Sequence, residues 1–173
     1  MNNDEIKRVL ELHQKWIYGE PNGVRAYLCE ADLRGANLYG AYLCGANLCG
    51  ANLCGAINIP FIPMACPDSG EFVGWKKTRD KLIVKLLIPA EAKRSSATTR
   101  KCRCDKALVL DIQYVNETIE CNITETISYR DSSFVYKKGE WVEVANFYDN
   151  RWEECAPGIH FFINRQEAVE YIY

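Results

Sequence analysis

The chain has 173 residues, 48% hydrophobic and 25% charged, with a formal net charge of −2 and a pI near 5.8. That content can bury a core in one ordinary domain or two small ones, which excludes a disordered chain. No run of about 18 apolar residues could cross a bilayer and no apolar leader opens the sequence, so a cytoplasmic protein without membrane contact is expected. The acidic pI also argues against a broad duplex nucleic-acid interface, which needs many phosphate contacts on one basic surface.

From Asp4 to Tyr18, Ile6, Val9, Leu10, His13, Trp16 and Ile17 recur at three- and four-residue spacings. This predicts an amphipathic helix with an acidic first turn, ended by Pro21 and Gly23. Its apolar face suits a cap on whatever follows. His13 on that face reads as a packed or hydrogen-bonded side chain, not as a ligand.

Between Ala26 and Ala56 alanine returns every fifth residue, with leucine at 28, 33, 38, 43, 48 and 53. Neither the 3.6-residue period of a helix nor the two-residue period of a strand keeps such positions on one face. A coil that turns a corner once per repeat does, with leucine and alanine inward and Asp32, Asn37, Asn47 and Asn52 outward or at bends. The run resembles the pentapeptide-repeat proteins, and the resemblance implies a right-handed quadrilateral β-helix with four pentapeptides per turn. Its length gives roughly one and a half coils, on the order of 8 Å tall, too short to stand uncovered. Outward Tyr27, Tyr39 and Tyr42 add to the motive for self-association through the coil, with a homodimer as the simplest form. The family's mimicry of DNA by a long acidic rod is excluded by the short run and by Glu30, Asp32 and Arg34 being its only charges. Cys29, Cys44, Cys49 and Cys54 follow the repeat leucines and read as reduced thiols, with Cys29 and Cys49 stacked one turn apart.

The stretch IPFIPMACPDSG breaks the pattern and marks a boundary. Beyond it, strands are predicted over 72–75, 82–88, 107–114, 120–127, 134–136 and 159–163. A closing helix follows, with Asn164 as its cap and Ala168, Val169 and Ile172 inward. The predicted fold class is mixed β and α+β: a capping helix over 1–22, a pentapeptide β-helix over 23–60 and an α+β domain over 61–173. CPDSGEFVGWKK, LLIPAEAKRSSATTRKCRCDKALVL and ECAPGIHFFINRQEAVEY resemble an uncharacterised domain that follows short pentapeptide runs in phage and bacterial proteins. The resemblance covers Cys66 to Tyr171. It implies a shared fold and a phage or prophage setting, with an anti-defence role among the expectations, but no settled activity.

Charge is the main functional signal. From Lys76 to Lys106 eleven basic residues face three acidic ones, a net of plus eight, which leaves minus ten for the rest of the chain. Within it, AKRSSATTRKCR brackets four hydroxyls with basic pairs, a donor set suited to phosphate oxygens. The expected ligand-binding residues are therefore Lys93, Arg94, Ser95, Ser96, Thr98, Thr99, Arg100, Lys101 and Arg103, and the expected ligand a small phosphorylated molecule or nucleotide. The competing reading is a solvated or internally paired face, with protein–protein interaction, including contact with a host protein, as the function. Trp75 and Tyr114 are candidate platforms for a base.

Cys102, Cys104, Cys155 and His160 are weighed as a zinc set, but their spacing is poor for a structural site, and neither metal nor cofactor is expected. GIHFFINRQEAVEY is loosely similar to a strand-then-helix segment of ADP-ribosyltransferases. No matching motif singles out Glu154, Glu167 or Glu170 as the acid, and no nucleophile elbow, phosphate loop or HExxH occurs, so no catalytic residue is assigned.

Overall fold

The structure is a computed structural model that describes residues 2–39, 41, 43, 46–59 and 61–172, and it divides into two compact units. One runs to Pro63 and includes two short returns of the chain, Ala97–Thr99 and Asn150–Glu154. The other holds Met64–Ser96, Arg100–Asp149 and the chain from Cys155 onward.

The first unit opens with α1 (Asn3–Ile17). Asn2 accepts from the Glu5 backbone N–H at 2.9 Å while the Glu5 carboxylate accepts from the Asn2 N–H at 2.8 Å, a reciprocal cap. After the helix the chain folds back so closely that a Cβ at Gly23 would stand 2.4 Å from the Trp16 backbone nitrogen, so glycine is required there. Ile6, Val9 and Leu10 join the coil's core, and the Nδ1 of wholly buried His13 accepts from the Ala26 N–H at 3.2 Å.

The coil is built by one rule applied to each pentapeptide. Each leucine carbonyl accepts from the alanine N–H three residues on, as in Leu33 to Ala36 at 3.0 Å, so every repeat ends in a turn. Asp32, Asn37, Asn47 and Asn52 accept from the backbone N–H two residues on, tightening the same corners. The following corner position is left-handed at Gly35, Gly50 and Gly55, and also at Glu30, where φ is 57°. Parallel bridges join Tyr27 to Asn47, Asp32 to Asn52 and Asn37 to Ile57, so the chain returns beside itself after twenty residues. Leu28, Leu33, Leu38, Leu43 and Leu53 are buried, and Leu48 packs partly buried against them. Tyr27 and Tyr39 are outward, the latter 84% exposed; Tyr42 and Cys44 lie outside the described residues. The Glu30 N–H donates to the Cys49 carbonyl at 2.8 Å, which sets Cys29 and Cys49 one turn apart.

The short coil has internal cover. Besides α1, Ile59, Ile62 and Trp152 pack on its core, and Thr98 Oγ1 donates to the Ala51 carbonyl at 3.1 Å. Arg151 reaches the Ile62 and Ala97 carbonyls at 2.9 and 3.4 Å. Among the described residues, the coil's core is thus covered in part from within its own unit.

The second unit is built from β1 (Phe72–Lys77), β2 (Leu82–Ile88), β3 (Arg94–Ser96), β4 (Cys102–Cys104), β5 (Lys106–Tyr114), β6 (Glu125–Ile127), β7 (Val135–Lys137), β8 (Trp141–Glu143), β9 (Ile159–Phe161) and α2 (Arg165–Glu170). All paired strands are antiparallel, in sheets ordered β1-β2-β5-β8, β3-β4-β9 and β6-β7. A further bridge ties Trp75 of β1 to Phe162 after β9. Leu82, Val84, Leu86 and Ile88 point into one core with Cys104, Val109, Ile112 and Phe161. At Gly74 a Cβ would meet the Phe161 ring at 2.6 Å, so β1 can lie on that core only with glycine there.

Three expectations need correction. The strand predicted over 120–127 is ordered as a ladder only at β6; Cys121 and Ile123 do pack on the core, but pairing with β7 begins at Glu125. Ile172 is 88% exposed, because α2 stops at Glu170 and Tyr171 is extended, which takes Ile172 out of helical phase. The chain also forms β3, β4 and β8, three-residue strands that no alternation announces.

Candidate functional site

The nine residues of the expected strip do not converge. Arg94 spends its guanidinium on four carbonyls, of Gly70, Pro89, Ala90 and Ala92, at 2.7 to 3.1 Å, and lies over the Phe72 ring. Arg103, 2% exposed, donates to the Tyr148 and Pro157 carbonyls at 2.5 and 3.2 Å beneath the Phe147 ring. Lys93 pairs with Asp149 at 3.3 Å and Arg100 with Glu167 at 2.8 Å. Ser95 and Ser96 are buried in β3, where Ser96 Oγ accepts from the Ala65 N–H at 2.7 Å. Thr98 and Thr99 belong to the coil's unit, Thr99 donating to Glu154. The strip's charge is thus met largely from within. Trp75, a candidate base platform, is approached by Lys85 at 5.5 Å and Arg165 at 6.0 Å, and Tyr114 packs against the core.

Lys101 alone of the nine lines a cavity of about 630 Å³ in the second unit. Its walls come from separate segments: Lys76 and Lys77 of β1, Arg130 and Asp131 after β6, Tyr136 of β7, Glu143 of β8, His160 of β9, and Tyr171. The volume falls in the range of small-molecule sites, and the mixture of aromatic rings with a few convergent polar groups is what such sites present.

Lys76 sets the electrostatics. It is 8% exposed, its ammonium carries three N–H donors, and the partners are one carbonyl, of His160 at 3.2 Å, and the face of the Tyr136 ring at 5.9 Å. No carboxylate pairs with it among the described residues. Burial pushes it down to about 8, with Cys104 opposing and nearby Lys101 adding to the fall. The Cys104 thiol is itself raised, first by burial, so it stays protonated and offers no countercharge at that pH. Lys101 donates to the Cys155 sulfur at 3.5 Å and stands 5.8 Å from the Tyr171 ring. Lys77 serves the fold instead, donating to the Val169 and Tyr171 carbonyls at 2.7 and 3.0 Å and so closing the end of α2.

The two-residue period of a strand could have found the buried lysine. If Gly74 is inward in FVGWKK, Lys76 is inward too, and the burial along β1 bears this out. The glutamates weighed for catalysis do not line the cavity: Glu154 accepts from Thr99, Glu167 pairs with Arg100 and Glu170 accepts from Gln166. Cys102 is buried and hydrogen-bonded by Cys66, which with burial raises its thiol, and Cys155 is exposed. Among the described residues no group of three or more His, Cys, Asp or Glu side chains is placed to hold a metal. Nor is any described helix long and apolar enough to cross a membrane.

Comparison with known proteins reaches the family level. No curated protein and no solved structure matches the chain. A model of pentapeptide repeats matches residues 24–57, the stretch that forms the coil. A second model, described as a family of unknown function (DUF5758), matches residues 62–168, more than half of the chain. The chain belongs to that family, with a pentapeptide-repeat coil ahead of the family's domain.

Proposed function

We propose that the chain is a binding protein that captures a small phosphorylated ligand, a nucleotide in the fullest form of the reading, and that the ligand enters the cavity lined by Lys76 and Lys101. The observation that carries this is Lys76: a buried ammonium with one carbonyl acceptor costs stability, and an entering anion repays it. Arg130 at the cavity wall, exposed and engaged in no ion pair or hydrogen bond among the described residues, adds a fork suited to phosphate oxygens. Tyr136 and Tyr171 supply ring faces for a base. The strip Lys93–Arg103 contributes Lys101 to this reading and otherwise supports the fold.

The same reading includes a right-handed quadrilateral form for the coil, which the twenty-residue return of its bridges supports. It also includes the phage or prophage setting implied by residues 66–171, in which capture of a host nucleotide signal would act against host defence. Calorimetry against mono-, di- and cyclic nucleotides is the test. Binding by the parent, weakened tenfold or more in Lys76→Met and Lys101→Ala without a fall in melting temperature, is the expected result. No heat from any nucleotide removes the reading and moves protein–protein interaction to first place.

A further inference from the structure

The hydrogen bonds at the Lys76 nitrogen fit some of its chemical forms better than others. As an ammonium it carries three N–H groups, and among the described residues one carbonyl, of His160 at 3.2 Å, accepts from it. No carboxylate pairs with it among those residues, and the side chain is 8% exposed at the wall of a cavity of about 630 Å³. Two other forms suit these surroundings better. A neutral amine keeps one N–H for the His160 carbonyl and has a lone pair to offer. An iminium, a lysine nitrogen doubly bonded to a former carbonyl carbon, has a single N–H, which that one carbonyl satisfies. Arg130 is exposed at the wall of the same cavity, where its fork suits a carboxylate or phosphate.

We infer that Lys76 is a nucleophile and that the cavity holds a small aldehyde or ketone bearing an anionic group as an iminium on its nitrogen, with Arg130 taking the anion. This goes beyond nucleotide capture and does not rest on it, since capture uses the ammonium and this step the amine. The lysine first gives a proton to solvent, and its lone pair attacks the carbonyl carbon. The carbon–nitrogen bond forms as the carbonyl oxygen takes up a proton. Water then leaves from that carbon, so ammonium and carbonyl compound become iminium and water with the charge conserved. Burial supplies the reactive form. At about 8, roughly a tenth of Lys76 is neutral at pH 7, against about one part in three thousand of a lysine at the ordinary 10.5. The groups around it leave that form in place: the Cys104 thiol is raised and stays protonated, Lys101 adds to the fall, and Tyr136 and His160 present a ring face and a backbone carbonyl. Part of the advantage is lost because nucleophilicity falls with basicity, as it does for thiolates.

The experiment treats the full chain with glyoxylate, glyceraldehyde 3-phosphate or uncharged propionaldehyde. Cyanoborohydride is present to reduce any iminium to a stable secondary amine, and peptide mass spectrometry follows each lysine with time. Lys7 and Lys15, exposed on α1, are the references. At pH 7, at least one of the two anionic aldehydes is expected to modify Lys76 tenfold or more faster than either reference, a margin that propionaldehyde does not reach. The margin should shrink as pH rises to 10, where an ordinary lysine also loses its proton. The parent chain itself is read, so no variant has to fold. Lys76 modified no faster than Lys7 and Lys15, an equal margin with propionaldehyde, or a margin unchanged by pH overturns the inference.

Discussion

Two regions of the second unit are rich in positive charge, and they use it in opposite ways. Along β3 and β4, Arg94 gives its N–H groups to four carbonyls and Arg103 lies buried between two, so the cations hold chain segments together. In the cavity, Lys76 has three N–H groups and one carbonyl. Density of charge along the chain is therefore a poor guide to a ligand site. What distinguishes the two is whether the charge is already met.

The comparison predicts a crossed pattern of stability and binding. The largest effect belongs to the strip: Arg103→Leu removes a buried guanidinium with its bonds to the Tyr148 and Pro157 carbonyls and its contact with the Phe147 ring, and is expected to cost about 2 to 5 kcal/mol, read by chemical denaturation. Nucleotide binding by the remaining folded protein should persist. Equal stability of this variant and the parent would show that the strip is not structural.

Lys76→Met should move both properties the other way. An unfolded lysine titrates near 10.5 and the folded one at about 8. Below pH 8 both states hold the proton, and the native state carries the full cost of a buried ammonium. Between 8 and 10.5 the unfolded state holds a proton that the native state lacks, so the parent gains stability as pH rises. The variant is accordingly expected to exceed the parent by about 3 kcal/mol at pH 7, a margin that closes as pH approaches 10.5. Melting curves of the two proteins at pH 7, 9 and 10.5 check this, and a margin that does not change with pH would rule out the titration.

In the middle of the range stands the double change Arg94→Gln with Arg100→Gln. It removes one ion pair and several carbonyl contacts, so a stability loss of about 1 to 3 kcal/mol is expected with nucleotide affinity unchanged within a factor of about two. Affinity lost along with these side chains would return the site to the strip. The smallest effect lies in the coil: Glu30→Gly relieves a left-handed non-glycine corner and should stabilise by about 1 kcal/mol or less, since glycine also loosens the unfolded chain. Thermal melts of this variant beside the parent read that difference.

The coil was the most legible part of the molecule, because its rule is local and repeated: leucine inward, asparagine closing a turn two residues on, glycine at the left-handed corner. α1, β2 and the Asn164 cap were legible for the same reason, each being set by neighbours in sequence. β3, β4 and β8 were not, since three residues show no period and their pairing comes from distant partners such as Arg103 with His160. The strip misled because a guanidinium that binds phosphate and one that binds carbonyls read alike in sequence. The cavity escaped notice because its walls come from segments as far apart as Lys76 and Tyr171, and only folding brings them together.

Capture of a phosphorylated ligand turns on Lys76 being a buried charge with no carboxylate partner among the described residues, and the most direct measurement is the NMR titration of its own side chain, assigned by Lys76→Arg. A midpoint near 8 is expected in the free protein, rising when a 5′-monophosphate is added. A midpoint near the ordinary 10.5, unmoved by any phosphate ester, would contradict it.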